Sequence, residues 1–337
     1  MSKPEKEKKV KTKKEKRKKE KTPFTKEKFR KIMFGTKDDM GLLKKIAVYV
    51  ILICVGFMFL SPVVKVFSTS LMSLSDLLDS AINWIPSSLN WDNYKNAAIA
   101  MDYGKAIKDS LIISLIPTII NVVVCSVIGY GFARYNFKLK GVLFAFVILS
   151  FVLPQQLILT PQYELYARLG LTGSILPFII PTLFGQGINA SIFILIAWSF
   201  FKQIPGALME AAQIDGAGHA KQFFKIAIPS SIGALVVIFL FSFVWYWNED
   251  YLTSLYLYNS TSQASYQFTP VVNQLGIFNS VFDQASSSAG SDVTTSYANT
   301  GMRMAATILA IAPLLLIYFI LQKQFVESVD RAGITGE

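Results

Sequence analysis

EAAQIDGAGHAKQFFKIAIP, Glu210 to Pro229, is a polar, partly amphipathic island between two long apolar stretches. It follows Ile204-Pro205-Gly206, a turn signal, and Ala207 to Ala212 are mostly strong helix formers with Glu210 among them, so a short helix is expected. Asp215-Gly216-Ala217-Gly218 then ends that helix, because glycine accepts positive φ without a steric penalty and aspartate can bond its own backbone. A second short helix is expected beyond it, with Phe223, Phe224, Ile226, Ala227 and Ile228 beside Lys221 and Lys225, closed by Pro229. The stretch reads as a helix-turn-helix elbow.

Its surroundings place that elbow at a membrane surface. The 337 residues are 52% hydrophobic with a mean hydropathy of +0.42, and the apolar residues fall in blocks long enough to cross a bilayer. The formal charge of +11 would suit a nucleic-acid partner were it spread over a folded surface. It is concentrated instead: Met1 to Ile46 hold 19 of the 33 Lys+Arg and 7 of the 22 Asp+Glu. The tail over residues 1–45 lacks the apolar content to order itself and reads as a disordered arm that contacts anionic membrane lipid; no nucleic-acid partner is expected. Cys54 and Cys125 each lie inside an apolar block, which leaves neither a disulfide framework nor a metal cluster, and no metal site is expected. The first apolar run starts near Ile46, is long, and has no small-residue cleavage site behind it, so it is expected to be retained as a span rather than removed as a signal peptide.

Six spans can be read outward from the elbow, with cores near Ile46–Val66, Leu111–Ala133, Val142–Leu159, Ile188–Phe201, Ile226–Trp247 and Met304–Leu321. Pro177, Pro181, Gly185 and Gly187 interrupt the lead-in to the fourth, from Ile175, which points to a broken or tilted helix there. The fold class is therefore an all-α polytopic membrane protein. Its expected parts are a first transmembrane helix over 46–70, an outer segment over 71–108, and a transmembrane domain over 109–322. That domain contains the elbow loop 203–229 and an outer loop 251–300, and a tail over 323–337 follows it. Lysine and arginine in short loops mark the cytosolic side. The basic tail, Arg134, Lys138 and Lys140, then Lys202, Lys221 and Lys225, and finally Lys323 and Arg331 all fall on one side, so both termini and the elbow are expected in the cytosol. The loop Glu249–Met302 has no lysine or arginine, and its Ser/Thr/Asn/Gln-rich stretch Tyr251–Thr300 exceeds what a connector needs.

Catalytic groups are scarce. His219 is the single histidine and no acid or thiol is placed beside it, and there is no GxxxxGK[ST] loop, so no catalytic residue is assigned and any ATP must be handled by another subunit. Polar residues inside a membrane are costly, which makes them candidates for a solute path. Those are Asn121, Gln155, Gln156, Gln186, Asn189, Asn248 and Glu249, with Trp247 beside them. Amides trade hydrogen bonds with hydroxyls and aromatic rings stack on sugar faces, a combination that suits a polyhydroxylated solute; equally, buried amides join helices and tryptophans line the membrane interface.

The elbow residues, read together, match a known pattern: EAA, three residues, Gly, nine residues, Ile, one residue, a Leu-like position, Pro. Here these are Glu210-Ala211-Ala212, Gly216, Ile226, Ile228 and Pro229, with isoleucine in place of the usual leucine. The chain thereby resembles the permease subunits of binding-protein-dependent ABC importers. EAAQIDGA, PQYELYARLGL at Pro161–Leu171, YGFARYNFKLKG at Tyr130–Gly141, SPVVKVFSTSL at Ser61–Leu71 and the ending VESVDRAGITGE are similar to the six-span, maltose-type, carbohydrate-uptake branch. The likeness runs from about residue 45 onward; the basic tail is an addition.

That resemblance implies a type I importer architecture in a prokaryotic plasma membrane. The partners it implies are a second homologous permease, a dimer of ATPase subunits, an extracytoplasmic solute-binding protein and a sugar substrate. It also implies that this chain binds no cofactor, with ATP and Mg²⁺ held on the ATPase. The elbow becomes a coupling helix docked in a cleft of the ATPase, with Glu210, Ala211, Ala212, Asp215, Gly216, Ala217, Phe223, Phe224, Ile226 and Pro229 as the coupling residues. The small Ala211 and Ala212 allow close helix approach, Gly216 permits the turn, and Glu210 and Asp215 offer polar contacts and caps. A permease for a non-carbohydrate solute, or a membrane scaffold without transport, are the competing readings.

Overall fold

The computed structural model describes residues 33–34, 41–79, 81–82, 84–259, 265–266, 268–288 and 293–334. The basic tail falls almost wholly outside them. The chain divides into two units, Met1–Val63 and Val64–Glu337. The described part of the first is mainly the opening portion of α1 (Leu42–Ser70), 29 residues of high hydropathy that begin four residues before the expected span.

Among its described residues the second unit builds its regular structure from helices, apart from one pair of two-residue strands. After the end of α1 come α2 (Leu74–Leu78), α3 (Asp92–Ala100), α4 (Tyr103–Arg134), α5 (Lys140–Val152), α6 (Gln156–Arg168), α7 (Leu176–Leu183) and α8 (Ala190–Gln203). The elbow comprises α9 (Gly206–Ile214), α10 (His219–Gln222), a π-helical turn (Phe223–Ala227) and α11 (Ile228–Ser230). Then follow α12 (Ile232–Trp247), α13 (Tyr251–Tyr256), strands β1 (Tyr258–Asn259) and β2 (Ser265–Tyr266), α14 (Val271–Ser288) and α15 (Val293–Ile334). The strands pair antiparallel, Tyr258 opposite Tyr266.

Among the described residues, three helices are long and apolar enough to cross a membrane alone: α1, α4 and the Thr300–Val326 part of α15. Three further pairs reach that length only if each bent pair counts as one span, which gives up to six. The third expected span, Val142–Leu159, is not one helix: α5 and α6 meet at 98°. Pro154 disfavours helix in the residue before it, and Leu153 is extended at ψ 124°. α8 and α9 bend by 71° at Ile204-Pro205, and the helical stretch His219–Ser230 meets α12 at 77°, at Ser231. The fifth expected span, Ile226–Trp247, therefore starts inside the elbow and straightens only at Ile232. The lead-in to the fourth is broken as its prolines and glycines foretell: α7 ends at Leu183, and Asn189 takes left-handed backbone at φ 54° before α8.

The 32-residue α4 is central, packing along α8, α12 and α7. Its fit to α8 is backbone-close at Gly129, where an added Cβ would lie 2.6 Å from the Cβ of Ala197 and 2.8 Å from the backbone nitrogen of Trp198. Only glycine permits that approach. Cys125, Tyr130, Phe193, Phe201 and Ile238 fill the core around it, joined from the elbow by Met209 and Ala227. A second core joins α3, α4, α14 and α15 through Ala97, Met101, Ala106, Val271, Phe278, Ala305 and Ala306. The described part of 251–300 is thus largely helical: α14 puts Val271, Leu275 and Phe278 against this core at helical spacing.

Candidate functional site: an elbow and a polar cavity

The elbow is built by local punctuation. α9 ends in a Schellman motif: Ala217 N–H donates to Ala212 O at 2.8 Å and Gly216 N–H to Gln213 O at 3.0 Å, with Gly216 at φ 74°. Gly218 caps α10, whose Gln222 is buried and donates from Nε2 to Ala217 O at 2.8 Å, tying the second arm to the turn. A π-helical turn follows, a geometry that arises as a single-turn insertion in an α-helix and concentrates at functional positions.

The ten expected coupling residues divide between two faces. Ala217 is buried, and Phe223 and Ile226 pack on the core with Met209 and Ala227. Glu210, Ala211, Asp215, Gly216, Phe224 and Pro229 are exposed, and Ala212 is half-buried. Two apolar residues that sequence reasoning missed share the exposed set: Ile214, 87% exposed, and Leu208. Their signal was available, since both lie on a short helix whose buried residue is Met209.

Three contacts bind the elbow to the end of α4. Arg134 Nη2 donates to Ile204 O at 2.5 Å, at the bend that opens the elbow. The Tyr130 ring sits 4.9 Å from that of Phe223 and 5.4 Å from that of Phe201. Tyr135 meets the imidazole of His219 edge-on at 5.5 Å. His219 is otherwise exposed.

Away from the elbow lies a cavity of about 450 Å³ between α5, α6, α7, α8 and the end of α12. Gln155, Gln186 and Asn189 line it, as do Gln162, Ser191 and Tyr256, which sequence reasoning did not select. The bend at Pro154 brings Gln155 and Gln162 to it. Tyr246 forms part of the wall: its hydroxyl shares a 2.8 Å hydrogen bond with Thr182 Oγ1 and accepts from Ile188 N–H at 3.1 Å. The hydroxyl of Tyr256 is buried without a hydrogen-bond partner among the described residues, while its ring packs against Tyr166 at 5.4 Å and Phe178 at 5.9 Å.

The other path candidates lie elsewhere. Asn121 is buried between helices, donating from Nδ2 to Ser242 Oγ at 3.0 Å, and so joins α4 to α12. Trp247 is buried and donates from Nε1 to Ala310 O at 3.2 Å, joining α12 to α15. Asn248 is exposed and donates to Val244 O at 2.9 Å, and Gln156 is exposed outside the cavity. Glu249, just beyond α12, accepts Leu252 N–H at 2.9 Å; burial raises its pKa above the ordinary carboxylate value, against the opposing pull of that bond. No group of His, Cys, Asp and Glu able to hold a metal occurs among the described residues.

Bent apolar helices around a cavity lined by both apolar and amide side chains, with a largely exposed elbow beside them, are the build of a membrane permease subunit. Comparison with known proteins agrees. Residues 125–331 match the family described as binding-protein-dependent transport system inner membrane component, and the chain belongs to that family. It is 28% identical over 277 residues to a probable ABC transporter permease protein of Pyrococcus horikoshii, covering 82% of this chain and 92% of the relative. With the trehalose transport system permease protein SugB of Mycobacterium tuberculosis it shares 29% over 286 residues, 84% and 94% of the two chains. The arabinooligosaccharides transport system permease protein AraQ of Bacillus subtilis is 25% identical over 307 residues, 87% and 96%. In fold it is similar to a chain from the crystal structure of a bacterial ABC transporter involved in the import of the acidic polysaccharide alginate. The TM-score is 0.67, with 18% identity and coverage of 90% of this chain and all of the other. Permeases of ABC importers work in general with a second permease, an ATPase and a solute-binding protein.

Proposed function

We propose that this chain is one of two homologous permeases in an ATP-driven importer that moves a sugar or oligosaccharide across a prokaryotic plasma membrane by alternating access. The observation that carries this reading is the elbow. Its inner face is sunk into the core of the transmembrane helices while its outer face leaves Glu210, Ala211, Ile214, Asp215 and Phe224 exposed, the arrangement a lever needs. The ATPase dimer, which carries ATP and Mg²⁺, grips that outer face, and its closure moves the elbow and the helices it is rooted in.

The lysine and arginine distribution supports a cytosolic elbow and cytosolic termini. With it goes a division into a basic tail over 1–45, a first span over 46–70, an outer segment over 71–108, the importer domain over 109–322 and a tail over 323–337. Gln155, Gln186 and Asn189 supply this half's share of the solute path, with amide donors and acceptors for hydroxyl groups and tyrosine rings for sugar faces. The trehalose and arabinooligosaccharide permeases among its relatives support a saccharide over other solutes. Purifying the chain with its bound partners, and measuring which saccharide, presented by the binding protein, stimulates ATP hydrolysis, tests the reading. A complex that hydrolyses ATP but responds to no saccharide, and does respond to a peptide or amino acid, would sink the sugar assignment.

A further inference from the structure

The long helix α4 is fastened at both ends to parts that lie far apart in sequence. At its inner end Arg134 holds Ile204 O, at the bend between α8 and the elbow, and Tyr130 packs on Phe223 of the π-helical turn. At its outer end the buried carboxylate of Asp109 accepts the N–H of Thr269 at 2.9 Å and its hydroxyl at 3.5 Å. Beside it the hydroxyl of Ser110, also buried, accepts the N–H of Val271 at 2.7 Å. Val271 opens α14 and Thr269 lies two residues before it, so Ser110 satisfies an N–H that a helix start leaves without an intrahelical acceptor, while Asp109 holds the stretch of chain that leads into it. Val271 and Phe278 then bury against Ala106 in the second core.

From Asp109 to Arg134 a helix extends about 38 Å at 1.5 Å per residue. It is held along that length by α8 at Gly129 and by α12 through the Asn121–Ser242 bond. Pro117 lies between the two fastenings and removes one rung of the backbone ladder, so these flank contacts are what would hold the helix to a single motion. We infer that α4 is a strut that carries displacement of the elbow to the outer loop, with Asp109 and Arg134 as its positioning residues. The inference rests on the permease reading and adds to it a route: a change imposed at the elbow reaches the start of α14 through these two fastenings. The chemistry of each is particular. Among the described residues Asp109 is the acceptor for Thr269 N–H, and a methyl in its place leaves that donor without it beside Ser110. Arg134 spans from α4 to a carbonyl that the proline at 205 leaves at a bend.

The test uses the complex of this chain with its partner permease and ATPase in lipid nanodiscs. A polarity-sensitive fluorophore is attached at Ser280→Cys, an exposed position on α14, after Cys54→Ala removes the exposed native thiol; Cys125 is buried. ADP with vanadate, which traps a hydrolysing ATPase, is the probe. The emission is expected to shift on trapping. Asp109→Ala and Arg134→Met are each expected to abolish the shift while ATP hydrolysis persists. Asp109→Asn, which keeps an acceptor oxygen, and Arg134→Lys, which keeps a donor, are expected to restore it. A full shift in either disabling variant, or no shift in the parent complex while it hydrolyses ATP, would overturn the strut and leave the permease reading standing. A chain that brings no ATPase activity with it would overturn the permease reading instead.

Discussion

Replacing Gly216 separates the elbow's shape from the membrane fold that bears it. Gly216 sits at φ 74°, and an added Cβ would meet nothing within 4 Å, so alanine there costs only the backbone penalty of left-handed geometry, about 1–2 kcal/mol. The two Schellman hydrogen bonds can survive it. Proline is different in kind. Its ring fixes φ near −65°, about 140° from the native value, and removes the N–H that donates to Gln213 O at 3.0 Å. The turn is then lost outright, at about 3 kcal/mol or more, and Ala217 N–H and Gln222 Nε2 lose the geometry that joins the two arms. Because Gly216 is exposed and outside the spans, the protein should still insert. Uptake of radiolabelled saccharide into energised membrane vesicles, normalised to permease recovered from the membrane, should fall partially for Gly216→Ala and to background for Gly216→Pro. Normal uptake by an inserted Gly216→Pro variant would refute the elbow as the lever.

Gly129→Val should deplete folded protein from the membrane, since the new side chain collides with the backbone of α8 at Trp198 N; overpacking of this kind costs about 1–3 kcal/mol or more, and a wild-type melting temperature would contradict the close approach. Tyr256→Phe removes a buried hydroxyl with no partner, so the complex should melt unchanged or up to about 1 kcal/mol more stable, with a raised KM for uptake if that hydroxyl meets the solute; an unchanged KM would remove Tyr256 from the path. Asp76 is held below its ordinary pKa chiefly by the Ser87 hydroxyl, with Ser73 and Ser87 N–H assisting and burial opposing. A depressed carboxylate stabilises at pH above its unfolded value and loses that contribution as pH falls through its folded value, so hydrogen exchange over 73–90 should quicken only on acidification, and Asp76→Asn should flatten the response. Ile214→Asp should leave insertion intact and reduce ATPase co-purification severalfold, because an exposed apolar anchor becomes a charge that resists desolvation; undiminished recovery would place the docking face elsewhere.

The elbow was legible because everything that shapes it is local: Pro205 opens it, Gly216 turns it, and Pro229 marks its end, each within a few residues of the backbone it constrains. Hydropathy failed at Pro154 for the opposite reason. A sum over 142–159 registers apolar content and ignores direction, so a 98° bend inside one apolar block is invisible to it, although the proline itself was in plain view. The polar composition of 251–300 likewise hid α14, whose Val271, Leu275 and Phe278 carry the helical period within otherwise loop-like sequence. Intramembrane amides could be found but not sorted. Asn121 bonds Ser242, 121 positions away, whereas Gln186 and Asn189 line a cavity, and only the packing of distant helices distinguishes the two fates. Asp109 drew no notice at all because its mixed-charge neighbourhood reads as a solvated segment, and its partner Thr269 lies 160 residues on.

The elbow's two faces constrain what can lie against it. Burying a large apolar side chain is worth about 1.5–3 kcal/mol relative to leaving it in water, so a surface that covers Ile214 and Phe224, 87% and 66% exposed, gains binding energy from each. Lipid cannot serve both this surface and its neighbours, because Glu210, Asp215, Lys221 and Lys225 are exposed on the same short element and would be drawn out of water with it. A free aqueous surface is also a poor account, since the inner face already supplies enough apolar residues, Met209, Phe223, Ile226 and Ala227, to root the elbow in the core. What satisfies both sets is a protein surface with an apolar hollow and a polar rim, which covers Ile214 and Phe224 while the charges around them keep hydrogen-bonding partners. Such an occupant pulls on a part whose other face is fixed to α4, α8 and α12, and so it gains purchase on the spans without entering the membrane.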